Sequence, residues 1–220
     1  MLRCHDWIDW VDGKKRCLWI HGIPGAGKTV LFSHLVEKVE NHCENSRTAK
    51  TAHVYYYCYF GHNQDEAVPF LRWTINQLSR QAGLVPTCLS RLYQHGGQPS
   101  LVDLLQALED VLKELDNVYI AIDAIDESMP REDLLRVIRD LVTDSRFQKV
   151  QLLATSREYI DIEKTMLQIS TPVSMLNPLL AEDIKRYVRS QMHKNPRFKP
   201  WPPQLQDEVV EALGTGAKGM

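Results

Sequence analysis

Residues 21–30, "HGIPGAGKTV", follow the apolar run "CLWI" directly and lead into a helical pattern, and no other stretch constrains the fold as tightly. The spacing fits G-x-x-x-x-G-K-[ST], with Gly22, Gly27, Lys28 and Thr29 in the fixed places. A strand that ends in a glycine-rich loop and restarts as a helix turns several backbone N–H groups into one concavity, at the positive end of the helix dipole. Such a turn holds phosphate. Its glycines allow positive φ and let the phosphates approach the backbone without meeting a Cβ. Gly22, Ile23, Pro24, Gly25, Ala26, Gly27, Lys28, Thr29 and Val30 would then surround the phosphates. Lys28 would reach the β- and γ-phosphates, and the Thr29 hydroxyl would be a ligand of Mg²⁺. An ordinary Gly/Pro loop matches this spacing by chance in roughly one chain of this length in a hundred. The strand expected at Cys17 to His21 and the helix expected at Val30 to Cys43, with Leu31, Leu35 and Val39 on one stripe, lower that further.

Apolar runs rich in β-branched and aromatic residues recur at 53–60, 118–123, 150–155 and 173–176, each separated from the next by helical periodicity. One helix is expected over Val68 to Ala82, with Leu71, Ile75 and Leu78 on its stripe and Gly83 as the C-terminal cap. A second opens on a capping box formed by Ser100 and Asp103 and carries Leu104, Leu108, Val111 and Leu112. A third is expected to take Pro130 as its first residue and to hold Leu134, Leu135, Ile138 and Leu141. Strands alternating with helices make parallel crossovers, and near-continuous apolar runs mean strands covered on both faces. The pattern is that of a doubly wound α/β sheet. From Asn177 the strand signal stops, and "AEDIKRYVRSQM" and "PPQLQDEVVEAL" read as two helices around a proline-rich link.

A phosphate cradle needs a partner to hold the metal, expected at the C-terminal end of a neighbouring strand. "VYIAIDAIDES" supplies it: Asp123 ends an apolar strand and can hold Mg²⁺ directly or through water. Asp126 and Glu127 follow three residues on, where a carboxylate can orient and deprotonate an attacking water. The alternative is that these acids merely cap the next loop. "LLATSRE" repeats the arrangement, bringing Thr155, Ser156 and Arg157 out of a strand end, where the arginine can contact a γ-phosphate and report its presence.

The net charge of −2 recruits neither nucleic acid nor membrane as a whole, although residues 184–201 carry six lysines and arginines and no acid. No run of eighteen apolar residues exists, and "MLRCHDWIDW" lacks the layout of a signal peptide, so a cytoplasmic address is expected. Five scattered cysteines without a C-x-x-C pair argue for reduced thiols rather than disulfides or zinc. A guanine reader of the form N-K-x-D is absent, which argues against a GTPase.

Taken together, "CLWIHGIPGAGKTVL", "YIAIDAIDES" and "LLATSRE" closely resemble the NACHT module of the STAND class of signal-transduction ATPases, in the form found in fungal ankyrin- or WD-repeat proteins and nephrocystin-like proteins. The resemblance runs from about Trp7 to Met220 and includes "AEDIKRYV". It implies a three-layer P-loop NTPase with a parallel sheet over 16–176, preceded by a lead-in over 1–15 and followed over 177–220 by the start of a small helical domain. The end at "GTGAKGM" is expected to continue in a longer protein. The resemblance further implies ATP or ADP at Gly22 to Thr29, Mg²⁺ on Thr29 and Asp123, slow hydrolysis assisted by Asp126 or Glu127, and sensing by Arg157. Pro178 is the candidate for the family's adenine-side proline. The implied partners are other copies of the module, with an effector domain before it and a repeat sensor after it. The alternative function is a scaffold that binds nucleotide without hydrolysing it.

Overall fold

Parallel pairing organises the sheet. The computed structural model describes residues 5–46, 50–94, 96–175 and 179–216. Its strands are β1 (Cys17–His21), β2 (Thr51–Tyr57), β3 (Asn117–Asp123), β4 (Val150–Ser156) and β5 (Thr171–Ser174), in the spatial order β2-β3-β4-β1-β5. β3 and β4 run parallel in the register Ile122 opposite Ala154, and β4 and β1 in the register Ser156 opposite His21. Every residue of β4, and β3 from Val118 onward, is buried, as strands covered on both faces require. The order corrects one expectation: β3 is not the neighbour of β1, because β4 lies between them. Asp123, Thr155, Ser156 and His21 therefore leave the sheet side by side at its carboxyl edge.

The connecting helices follow the apolar periodicity. They are α2 (Lys28–Asn45), α3 (Ala67–Ala82), α4 (Thr87–Gln94), α5 (Leu101–Lys113), α6 (Glu132–Thr143) and α7 (Ile160–Ile169). The expected capping box opens α5, with the Asp103 N–H donating to Ser100 Oγ and the Ser100 N–H donating back to the Asp103 carboxylate at 2.9 Å. Gly83 ends α3 at φ +70, where a Cβ would be strained. Leu71, Leu78, Leu104, Leu108 and Leu141 are fully buried in one cluster with Val118, Ile120 and Leu152 of the sheet. Truncating any of these leucines to alanine costs about 2–5 kcal/mol.

Two boundaries and one helix differ most from the sequence reading. β2 stops at Tyr57 instead of running on to residue 60, because its ladder partner β3 ends at Asp123; Phe60–His62 then forms a 3-10 turn. α6 begins at Glu132, not at Pro130, which sits two residues earlier after a cis Met129–Pro130 bond. The cap that replaces it is distant in sequence: the Asp65 carboxylate accepts the N–H groups of Asp133 and Leu134 at 2.9 and 3.1 Å. The lead-in holds a helix, α1 (His5–Val11), whose buried Trp10 donates its indole N–H to the Leu152 carbonyl of β4 at 2.9 Å.

By contacts the chain divides into two compact units, one of residues 1–21 and 27–173 and the other of residues 22–26 and 174–220. In the second, α8 (Leu179–Lys194) packs on α9 (Pro203–Gly216), with Met192 and Val210 buried and Lys185 paired to Glu211 at 2.7 Å. Pro178 lies outside the described residues.

Candidate functional site

The glycine-rich turn behaves as its composition demands. Gly25 and Gly27 hold positive φ, +77 and +82, and Gly27 is the residue from which α2 starts, its carbonyl accepting the Leu31 N–H at 2.9 Å. The N–H groups in the first turn of a helix have no carbonyl four residues back, so the start of α2 presents donors and the positive end of its dipole. Gly22 is required by a close approach instead: a Cβ there would come within 2.9 Å of Met175 Cβ.

Lys28 opens α2 half-buried. Burial pulls its ammonium below the ordinary lysine value, the nearby Arg157 guanidinium pulls the same way, and the carboxylates of Asp126, Asp123 and Glu158 oppose the shift. All four charged groups thus act on Lys28 electrostatically. Thr29 and Val30 are exposed on the same turn.

Asp123 is 2% exposed at the end of β3. Its Oδ1 accepts the Thr155 hydroxyl, which itself accepts the Ala124 N–H at 3.0 Å, and its carbonyl accepts the Cys58 N–H at 3.0 Å. β4 therefore fixes the carboxylate from one side and the end of β2 fixes the backbone from the other. Ala124 takes a left-handed conformation, φ +57, and bends the chain at once into the 3-10 turn Ile125–Glu127. That bend brings both following acids to the same edge.

The two acids are already engaged. Asp126 accepts the Arg157 backbone N–H at 2.9 Å on Oδ1 and pairs with the Arg157 guanidinium at 3.1 Å on Oδ2. Glu127 accepts the Phe60 N–H at 3.2 Å. Arg131, which the sequence reading passed over, donates to the Asp126 carbonyl at 3.1 Å, pairs with Asp161 at 3.2 Å and lies over the Tyr159 ring. Phe60, Asp126, Glu127, Met129, Arg131, Arg157 and Tyr159 line a cavity of about 460 Å³ open beside the acids. The carboxyl edge of β1 carries a further pair, His21 Nδ1 against Glu158 Oε1 at 2.5 Å, with the His21 ring stacked on Trp19. Among the described residues no cluster of three or more His, Cys, Asp or Glu is arranged to hold a metal by itself. Thr29 and Asp123 are an oxygen pair of the kind that leaves magnesium its waters and phosphate oxygens.

Comparison with known families decides what this edge belongs to: residues 1–157 match the family described as Nephrocystin 3, N-terminal. The chain belongs to the nephrocystin 3 N-terminal family. It is a NACHT-like, nucleotide-binding P-loop NTPase domain. The chain is also 26% identical over 192 residues to the vegetative incompatibility protein HET-E-1 of Podospora anserina, covering 82% of this chain and 14% of that protein. Solved structures with the same fold include the Aeropyrum pernix ORC1 protein in complex with DNA, at TM-score 0.57 and 14% identity over 96% of this chain and 52% of that one. A Walker-type ATPase of Pyrococcus abyssi superposes at TM-score 0.53 and 15% identity over 97% of this chain and 62% of that one. At such identities these two show the fold alone.

Within this nephrocystin 3 N-terminal domain, Asp126 and Arg157 meet directly, and both act with Asp123 on the charge of Lys28. Glu127 faces the loop after β2, and Arg131, Tyr159, Phe60 and His21 join the edge without any motif to announce them. A signal existed only for Arg131, a cation four residues beyond Glu127 in a segment otherwise acidic.

Proposed function

We propose that this domain is an ATP-dependent switch that hydrolyses ATP slowly and belongs to a larger signalling protein. Gly22 to Val30 hold the phosphates, Thr29 and Asp123 hold Mg²⁺, and Lys28 neutralises the β- and γ-phosphates. Bound magnesium withdraws charge from the phosphate oxygens. Asp126 or Glu127 orients the attacking water and takes its proton, and Arg157 answers the γ-phosphate. The observation that carries this reading is that Asp123, Asp126 and Arg157 stand at the carboxyl edge of two adjacent parallel strands, with Arg157 paired to Asp126 at 3.1 Å. Mutual assembly through this module, an effector before it, a repeat sensor after it and a cytoplasmic address belong to the same proposal. Among the described residues no helix is long and apolar enough to cross a membrane. The net charge of −2 supports leaving nucleic acid out.

One observation favours a second reading, a nucleotide-bound scaffold without hydrolysis. Both candidate bases are committed to other groups, Asp126 to Arg157 and Glu127 to the Phe60 amide. A carboxylate oxygen already held by another group is closed to an attacking water until that partner leaves. Single-turnover hydrolysis and the nucleotide carried through purification, released by denaturation and separated by ion exchange, distinguish the two. Stoichiometric ADP with measurable phosphate release supports the switch. Bound ATP that never turns over supports the scaffold.

A further inference from the structure

Far along the chain from these acids, the C-terminal half of α3, the turn after it, α4 and the start of α5 enclose a cavity of about 550 Å³. That volume lies in the range of small-molecule sites, about 300–1,000 Å³. Its floor is apolar, made by Ile75, Leu84, Leu89 and Leu104, with Val85 at 72% exposure standing at the mouth. A second hollow of about 640 Å³ shares Val85, Leu89 and Pro99 with it, so a longer occupant has room to extend.

The charges around this cavity are of one sign. Arg72 and Arg80 line it, and no carboxylate is among its described lining residues. Arg72 donates only to the neutral Gln98 amide, at 3.0 Å, and neither arginine takes part in an ion pair among the described residues. Ser79 lines the same cavity, and its Oγ is buried with no hydrogen-bond partner. A serine inside a helix ordinarily turns its hydroxyl to the carbonyl four residues back or to water. An orphaned buried hydroxyl costs free energy until something arrives to pair with it.

We propose that this cavity binds a small apolar carboxylate, its hydrocarbon against Ile75, Leu84, Leu89 and Leu104, and its anionic head on one of the two lining arginines, Arg72 or Arg80. Arg72 and Arg80 stand eight residues apart on α3, about 12 Å along its axis, so a carboxylate takes the planar, bidentate fork of one guanidinium at a time, a match that an alcohol or an amine cannot use. The apolar floor supplies the burial that a bare anion would lack.

The test is isothermal titration of the 220-residue chain with decanoate, with decan-1-ol as the uncharged control of equal length. Saturable decanoate binding is expected, with decanol weaker by about tenfold, since one charge-assisted contact is worth about that factor. The double substitution Arg72→Gln, Arg80→Gln is expected to reduce decanoate to the level of decanol and to leave decanol unchanged. Both arginines are exposed, so the fold survives this change. Val85→Trp, at an exposed position, is expected to close the mouth and abolish both. Equal affinity for acid and alcohol, binding that persists in Val85→Trp, or no saturation up to the solubility limit would each overturn the proposal.

Discussion

The Arg157 side chain and backbone both close on Asp126, the guanidinium at 3.1 Å from Oδ2 and the N–H at 2.9 Å from Oδ1. The residue proposed to sense a γ-phosphate is thus held by a residue proposed to deprotonate the water that attacks it. An arriving phosphate offers the guanidinium a more highly charged partner, and the backbone bond keeps Asp126 in place while the side chain leaves. Arg157→Ala is therefore expected to lower ATP affinity about tenfold or more, and ADP affinity less than about twofold, in calorimetric titration. Equal losses for both nucleotides would remove the sensing role.

Lys28 tests the cradle itself. Lys28→Ala is expected to weaken both ATP and ADP by at least about tenfold, because the β-phosphate that the lost charge faces is common to both. Thermal stability without nucleotide should fall little or rise, since burial already disfavours the charged ammonium. An unchanged ATP affinity would place the cradle elsewhere.

Thr155 is expected to matter for stability more than its size suggests. Its hydroxyl donates to Asp123 and accepts from the Ala124 N–H, all within a buried strand end. Thr155→Val keeps the shape and orphans both groups, at a cost of about 1–3 kcal/mol in urea unfolding. A loss below about 0.5 kcal/mol would mean that water replaces the hydroxyl, and Asp123 would then be less fixed than its burial implies.

The thiols set an alkaline limit. Burial raises Cys17 and Cys58 far above the ordinary thiol value and pushes Cys43 up to about 11, while the unfolded chain ionises near 9.0. A raised folded value means stability fully present below pH 9 and lost above it, as the unfolded state alone gives up protons. Each such thiol contributes a slope approaching about 1.4 kcal/mol per pH unit above that point. Urea midpoints in reducing buffer from pH 8 to 11 are expected to fall, and Cys58→Ala is expected to make the fall shallower. A flat profile over that range would show that the thiols reach solvent in the folded protein.

Much of the fold could be read in the sequence because local rules set it. The glycine spacing at 22–29, the capping box at Ser100 and Asp103 and the leucine stripes of α3 and α5 each work over a few residues, where backbone geometry and side-chain periodicity suffice. The ends of β2 and α6 were misplaced because they depend on distant groups, β3 stopping at Asp123 and Asp65 capping Asp133 and Leu134. Helices α4 and α7 are short, eight and ten residues, so a stripe has too few turns in which to repeat.

The candidate site divides in the same way. By itself the sequence determined a glycine-rich turn between a strand and a helix, an aspartate at a strand end, an acidic pair and an arginine after the next strand, since each is a residue type at a fixed distance from an apolar run. Tertiary structure decided that β4 stands between β1 and β3, that Asp126 is bound to Arg157, that Glu127 is tied to Phe60, and that Arg131 braces the turn from Asp161 and Tyr159. Those relations join residues 31 to 67 positions apart, or in the case of Arg131 turn on the start of α7. Strand order and side-chain pairing across such distances follow from how the whole core packs, which no local periodicity encodes.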